Sequence, residues 1–519
     1  MGALRTSRNL ARLVGVARTL ARHDALFALE TLSVAPFLVA PAGVIWRPKR
    51  SVAGLRPGQR LALALQELGP SFIKFGQTLA TRSDLLGERI AADLSALQDR
   101  LPPFPGAQAK ATVESELGGP LATLFSSFDE TPVAAASIAQ VHFAVTTEGK
   151  EVAVKVLRPG IERAFARDLD LFFWVARLIE ARLPAMRRLR PAQVVKTFAD
   201  TVRTEMDLRL EAAAASELAE NFADDPGFLV PKVDWTRTAT RVLTLARVEG
   251  VRIDDRAALI AAGHDPNRIL TKAADVIFTQ VFRDGFFHAD LHPGNLSVDG
   301  QGRLVAVDFG IMGRLDRKTR DYLADMLVGF LNGDYARVAD VHFRAGYVPA
   351  NQSRDAFTQA VRSIGEPILG LPLHEISIAR LLAQLFQVTE TFEMETQPQL
   401  LLLQKMMLMA EGVGRSLNDR VNMWTLSRPL IEQWMRENRS PEARLRNFLS
   451  EAAVQLEHLP NVVKNLEAAA EMMAGGGLRL HPETVRLLAS GRAGRPLWPF
   501  WLAIAGLAIA LALALARVI

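Results

Sequence analysis

The chain contains no cysteine. That excludes disulfides, iron–sulfur clusters, thiolate zinc sites and cysteine nucleophiles together, and it fits a reducing compartment. A strong charge of either sign is also lacking: 61 basic against 56 acidic side chains leave a net charge of +5. So mild a surplus suits contact with an anionic membrane surface. Basic and aromatic residues are not interleaved, so nucleic acid is not expected as a partner. No internal repeat is present, and Gly475–Gly477 is the only low-complexity joint. A spanning signal peptide does not fit either, because the uncharged run from Thr31 to Trp46 is short and interrupted by Pro36 and Pro41. The 519 residues leave room for about three domains at roughly 150 residues each, with a large buried core.

What is present is clearest at the C-terminus. "LWPFWLAIAGLAIALALALA", residues 497–516, is uncharged throughout. At ~1.5 Å per residue it reaches ~30 Å, the hydrocarbon thickness of a bilayer. Trp498 and Trp501 stand where an interfacial aromatic belt would be. Arg486, Arg492 and Arg495 precede the run and only Arg517 follows it, so the positive-inside rule predicts a single-pass anchor in the inner (cytoplasmic) membrane with the bulk of the chain cytoplasmic. At the other end, Arg5, Arg8, Arg12, Arg18 and Arg22 alternate with Leu and Val as in a basic amphipathic helix. Such a helix suits a membrane surface, a transit peptide or a solvated protein face.

Between these ends, 48–57 reads as a linker and 59–101 as helices, closed by "LPPFPG". From Leu124 to Glu249 short β-branched runs, "EVAVKVL" and "RVLTLARV", bracket a charged helical region from Gln193 to Phe222, which predicts a small sheet with one inserted helix. Helices then dominate, apart from a hairpin over 296–307 turned by "DGQG". The methionine-rich run "LLLLQKMMLMAEGVG" (400–414) reads as core, with a soft apolar surface for a prenyl tail as the alternative.

The chemistry concentrates in "FFHADLHPGN", 286–295. His288 and His292 have the i, i+4 spacing of a zinc-hydrolase helix, but Ala289 stands where that motif needs an acid, and Pro293-Gly294 ends any helix. Read as a kinase catalytic loop, His288 precedes a catalytic Asp290, and Asn295 falls at the interval of a magnesium-binding asparagine. Downstream "VAVDFG" puts Asp308 at the end of the hairpin, where a second metal-binding carboxylate would face Asn295. Upstream "VAVKV" puts Lys155 on a strand, as for a lysine that binds nucleotide phosphates and pairs with a helix glutamate. Glu205 and Glu211, both in "TEMDLRLEA", are the candidates for that partner, and the spacing does not choose between them. In "VAAASIAQVH", which also holds Ser137, Ala134, Ala135, Ala136 and Ala139 stand in the phosphate loop where glycines are usual, so that loop should be stiffer. No Ala-Pro-Glu segment follows Asp308, and Ala289 replaces the loop arginine, so a peptide substrate is not expected.

These residues resemble the UbiB, or ADCK-type, atypical kinases of ubiquinone biosynthesis. The resemblance covers roughly Leu61 to Gly313 and rests on "KFGQ" (Lys74 to Gln77), "AAAS", "VAVKV", "EMDLRLEA", "FHADLHPGN" and "VDFG". It implies an α+β, protein-kinase-like two-lobed fold with a helical N-terminal extension over the active site and one or two C-terminal transmembrane helices, of which this chain has one by its sequence. It implies Mg²⁺-dependent ATP binding and hydrolysis in support of ubiquinone biosynthesis. The partners it implies are membrane lipids, polyprenylated quinone precursors and other ubiquinone-biosynthesis proteins. By the same resemblance Lys74 and Gln77 lie near the phosphates, Lys155 pairs with Glu205 or Glu211, Asp290 is catalytic, and Asn295 and Asp308 hold metal. The expected divisions are a basic segment (1–50), the extension (51–123), a sheet-bearing lobe (124–250), a helical lobe (251–440), a helical linker (441–496) and the membrane span (497–516). Three other functions compete. A ring hydroxylase finds no flavin fingerprint or iron-ligand set here, whereas a small-molecule or lipid phosphotransferase and a nucleotide-binding scaffold would retain the same residues.

Overall fold

The computed structural model describes residues 2–27, 48–80, 88–95, 101–182, 191–368, 397–421 and 423–439, with short pieces at 384, 387–389 and 391–394. The chain divides into two compact units, 1–435 and 436–519, and the first carries the candidate site described below. The expected linker (441–496), the Gly475–Gly477 joint and the expected membrane span (497–516) lie outside the described residues. Among the described residues no helix is long and apolar enough to cross a membrane.

The N-terminal part is helical: α1 (Gly2–Arg22), α2 (Pro57–Leu68), α3 (Pro70–Ala80), α4 (Glu88–Ser95) and α5 (Gly106–Leu117). A sheet follows, made of β1 (Phe125–Phe128), β2 (Ala134–Ala135), β3 (Ala139–Thr146) and β4 (Glu151–Leu157), and completed later in the chain by β6. Between β4 and β6 come α6 (Ile161–Arg182), α7 (Pro191–Glu205), α8 (Leu208–Asn221) and β5 (Phe228–Leu229) before β6 itself (Val242–Ala246). All pairings in this sheet are antiparallel, in the order β1-β3-β4-β6 with β2 on β3.

The insertion corrects the single helix expected over 193–222. Asp207 is extended (φ −110°, ψ 91°) and accepts the Arg209 N–H at 3.2 Å, while the Leu208 N–H donates to the Thr240 carbonyl at 2.9 Å. An N-cap therefore starts a new helix two residues after α7 ends. Glu205 and Glu211 thus sit in different helices.

α1 forms the amphipathic helix its pattern suggests, and protein covers its apolar stripe. Leu13, Val16, Ala17 and Leu20 are buried where α1 packs on α2 and α6. On its flank Arg8 pairs with Asp170 at 3.1 Å and Arg12 with the buried Asp168, both on α6.

α3 is tied down by aromatic packing. Phe72 meets Phe172 edge-on at 5.0 Å between ring centres, and Phe75 stacks on Phe172 at 4.6 Å and meets Phe198 at 5.2 Å. Each ring pair adds about 1 kcal/mol to the ~2 kcal/mol of burying a Phe side chain, so α3 is held against α6 and α7 with its polar residues at a fixed place.

The second lobe begins with β7 (Val251–Arg252), α9 (Arg256–Ala261) and α10 (Pro266–Phe278). α10 runs into a wider helical turn, Thr279–Asp284, that Gly285 ends at φ 65°. Four short strands follow: β8 (Phe286–His288), β9 (Leu296–Val298), β10 (Leu304–Ala306) and β11 (Met312–Arg314). β9 and β10 are the expected hairpin. At its turn Asp299 accepts the Gln301 and Arg303 N–H groups, and Gly302 takes φ 73°. β5 joins β10 in parallel and β7 joins β9, while β8 and β11 form a separate ribbon. The lobe then continues with α11 (Arg317–Leu331), α12 (Tyr335–Arg344), α13 (Arg354–Gly365), α14 (Pro398–Leu417) and α15 (Met423–Arg439).

Candidate active site

Alternation along β4 decides where its lysine goes. Val152, Val154 and Val156 are buried in one cluster with Ala109 and Val113 of α5, so Lys155 leaves the opposite face, between Val141 of β3 and Leu243 of β6. There its ammonium donates to both carboxylate oxygens of Glu211, at 2.7 and 2.9 Å, and lies 3.4 Å from Asp308 Oδ2. The structure thereby chooses between the two glutamates. Glu205, at the end of α7, pairs instead with Lys74 of α3 at 3.0 Å.

This cluster is electrostatically lopsided. Burial opposes charge on Lys155, but Asp308 and Glu211 outweigh it and raise its pKa. Partial burial also pushes the half-exposed Asp308 carboxyl up, yet Lys155, the Gly310 N–H and, further off, Lys74 hold it well below the usual carboxylate range. Glu211 is pushed up, by burial and by Asp308 beside it, in spite of Lys155. Two carboxylates share one ammonium, so a negative charge is left over that a cation or a cation-bound phosphate group would balance.

The catalytic-loop sequence is folded by its own hydrogen bonds. β8 delivers His288 and pairs with β11, and the Ala289 N–H donates to the Ile311 carbonyl at 3.0 Å. Ala289 is fully buried, leaving no room for the arginine it replaces. His288 Nδ1 accepts the Asp290 N–H at 3.1 Å, while Nε2 meets the Asp308 carbonyl. Both contacts together require the neutral ring with its proton on Nε2, and burial indeed lowers the pKa of His288. The Asp290 carbonyl accepts from the His292 N–H at 2.7 Å and from Asn295 Nδ2 at 3.1 Å.

The hairpin joins the two ends of the site. Leu296 is in register with Ala306, and the Val307 N–H donates to the Asn295 carbonyl at 3.1 Å, so Asn295 and Asp308 emerge at the same open end. Asn295 spends its amide N–H on Asp290, which leaves Oδ1 as the donor atom, and Asp308 offers a partly exposed carboxylate, 43 % accessible. One amide oxygen, one carboxylate and the surplus negative charge suit Mg²⁺, which takes one or two protein oxygens and fills its shell with phosphate and water. Zinc does not fit. Both His288 nitrogens are engaged, His292 Nδ1 accepts the Gly294 N–H at 3.0 Å, and among the described residues no group of three or more His, Asp or Glu could hold a metal.

The alanine-rich stretch is half strand and half turn. Ala134 and Ala135 pair with Val141 and Gln140 as β2, and the Ala136 N–H closes the turn on the Ala139 carbonyl at 2.8 Å. The Ser137 hydroxyl is buried and has no hydrogen-bond partner among the described residues. Arg158, one residue past β4, donates to the Ala136 carbonyl at 2.9 Å and the Pro102 carbonyl at 2.9 Å, and its guanidinium lies 5.5 Å from the Phe104 ring centre. This staple joins the turn to the "LPPFPG" segment, and nothing local marks an arginine after a strand for that role. Lys74 and Gln77 share a face of α3, both half-buried.

A cation missed in the sequence completes the site. Lys405, in the methionine-rich α14, lies 2.7 Å from Asp290 Oδ1.

Comparison with known proteins gives the family. Residues 96–342 match the ABC1 atypical kinase-like domain and 361–422 the UbiB helical domain. A Marinobacter nauticus protein named "Probable protein kinase UbiB" is 42 % identical over 85 % of this chain and 80 % of its own length. The chain belongs to the UbiB family of atypical kinases. An Azotobacter vinelandii UbiB relative of the same name is 44 % identical over 82 % of this chain and 79 % of its own. The solved structure of Rv3197 from Mycobacterium tuberculosis, in complex with erythromycin, matches 71 % of this chain and 93 % of its own at 27 % identity and a TM-score of 0.51. The match to the helical domain also places Lys405 in a segment that the kinase motifs do not reach.

Proposed function

We propose that this UbiB-family chain is an atypical kinase acting chiefly as an ATPase: it binds MgATP between its two lobes, transfers the terminal phosphoryl group to water, and supports ubiquinone biosynthesis by mobilising polyprenylated quinone precursors at the membrane. The observation that carries this reading is the cluster of Lys155, Glu211 and Asp308, at 2.7 and 3.4 Å, beside a fully bonded catalytic loop.

Lys155 binds nucleotide phosphates and is aimed by Glu211. Asn295 Oδ1 and an Asp308 oxygen are the groups that would hold Mg²⁺, which when bound supplies charge neutralisation on the phosphates. Asp290 accepts the proton of the attacking water as its oxygen bonds to phosphorus and ADP departs. The turn at 134–137 lines the phosphate side, with the Ser137 hydroxyl as a spare donor, and Lys74 and Gln77 close the site from the extension. α11 starts directly after β11, capped by Asp316, so the chain offers no extended segment after Asp308 on which a peptide could dock. That favours water or a small hydroxyl as acceptor. The ring-lined, uncharged run at 497–516 is the proposed anchor in the cytoplasmic membrane, and membrane lipids, quinone precursors and other ubiquinone-biosynthesis proteins are the proposed partners.

ATP labelled on its γ-phosphate tests this in the full chain with membrane vesicles. Free labelled phosphate is expected. Label in an extractable lipid would make the protein a lipid phosphotransferase, and binding without turnover would make it a scaffold.

A further inference from the structure

The Asp290 backbone is held at three points, its N–H by His288 Nδ1 and its carbonyl by the His292 N–H and Asn295 Nδ2. Its carboxylate is not. Among the described residues the one contact made to that carboxylate is from Lys405, 2.7 Å away, and the acid is about one-third exposed (32 %). A general base works only within about 2.6–3.2 Å of the proton it takes, so a freely rotating carboxylate loses much of its effectiveness.

The setting of Lys405 indicates that this contact is its purpose. α14 buries Met406, Ala410, Val413 and Leu417 at helical spacing, and near the catalytic loop Ala410 and Val413 line a small apolar cavity with Leu291, the residue after Asp290. The helix is therefore seated against the loop by packing. Positions three and four residues either side of Lys405 are Leu401, Leu402, Leu408 and Met409, so its own helix offers no acid. The other cation of α14, Arg415, does pair within the helix, with Glu411 at 3.0 Å. Lys405 reaches instead across more than a hundred residues of chain to the catalytic loop.

We propose that Lys405 is a positioning residue for phosphoryl transfer: from the UbiB helical domain it fixes the side-chain rotamer of Asp290 in place of any cation from the loop itself, where Ala289 and His292 supply none. This rests on the proposed ATPase reading. The pair is too exposed to serve stability, since screened ion pairs at such exposure contribute little. Its value is orientation.

The test compares Lys405→Met, which keeps the length and apolarity that α14 tolerates, with Lys405→Arg in the full chain. Thermal melting checks folding, and MgATP hydrolysis gives kcat and KM. Lys405→Met should melt as wild type and keep KM within about threefold, while kcat falls about 10- to 100-fold, the penalty of a misplaced catalytic group. Lys405→Arg should restore most of kcat. Should Lys405→Met melt early, Lys405→Gln takes its place with the same expected split. Four outcomes overturn the proposal: unchanged kcat, a rise in kcat (the pair would be a brake), a rise in KM alone (the lysine would bind nucleotide), or no rescue by arginine. A wild-type chain that neither binds nor hydrolyses MgATP sinks the ATPase reading and this role with it, whereas an active wild type with an unaltered Lys405→Met sinks only the role.

Discussion

Asp308 and Asp290 both lie beside His288, yet their surroundings separate their proposed roles. Asp308 sits against Lys155 and the Gly310 N–H and is held ionised, as its proposed role of metal ligand requires. Asp308→Asn should abolish the Mg²⁺-dependent thermal stabilisation by ATP; an undiminished MgATP shift in that variant would remove Asp308 from the metal site. Asp290 faces the proposed acceptor instead, so Asp290→Asn should keep that shift while turnover falls about 10²- to 10⁴-fold, the usual contribution of a general base. Wild-type turnover in that variant would assign the proton to another group. Lys155→Met leaves Glu211 and Asp308 facing each other without their shared ammonium. Breaking such a buried pair costs about 3 kcal/mol, and denaturant unfolding should show a loss of that order, partly recovered by a second change, Glu211→Gln. The Glu211 partnership could not be read from local sequence, because the same few residues carry Glu205, and only the Asp207 cap turns the two onto separate helices.

Among the elements, the β8–β11 ribbon sets the catalytic loop, and one glycine allows it. A Cβ on Gly313 would run into the ring of Phe287, which is itself fully buried. Gly313→Ala should therefore force the ribbon apart, with a stability loss of about 1–3 kcal/mol and a fall in turnover through the displaced His288 contact; a native melting temperature would show that the ring has room to give. Hairpin 296–307 was legible from its turn chemistry and its β-branched flanks, since hairpins are local. The three-helix insertion was partly legible: Asp207 ahead of "LRLEA" is an N-cap signal, but the continuous charged pattern around it hides the break. α14 shows the reverse case. Its methionine-rich pattern correctly marks a core helix, while Met407 and Leu408 stay exposed and Lys405 leaves the pattern for the catalytic loop.

At the scale of the whole molecule, burial sets how the fold answers to acid. His142 and His288 are buried and His342 is half-buried, and desolvation lowers the pKa of each. Unfolded histidine takes a proton near pH 6.5 while these rings remain neutral, so the unfolded chain binds more protons as pH drops below that point. Stability should therefore be flat above about pH 6.5 and fall below it, by up to about 1.4 kcal/mol per pH unit for each ring until its native pKa is passed. Chemical denaturation at a series of pH values checks the slope, and a stability that rises on acidification from pH 7 to 5.5 would contradict it.

Sequence alone determined what depends on neighbours along the chain: the absence of thiol chemistry, the strand that carries Lys155, the interval from Asp290 to Asn295, and the hairpin that leads to Asp308. Each follows from alternation, turn chemistry or spacing, which act over a few residues. Tertiary structure alone decided which glutamate meets Lys155, that Lys74 takes the other, that Arg158 staples the alanine-rich turn, and that Lys405 reaches Asp290. Those are contacts between charges far apart in the chain. Coulomb attraction has no sequence signature of its own, so such partners are chosen only once packing of the apolar faces has brought their helices together.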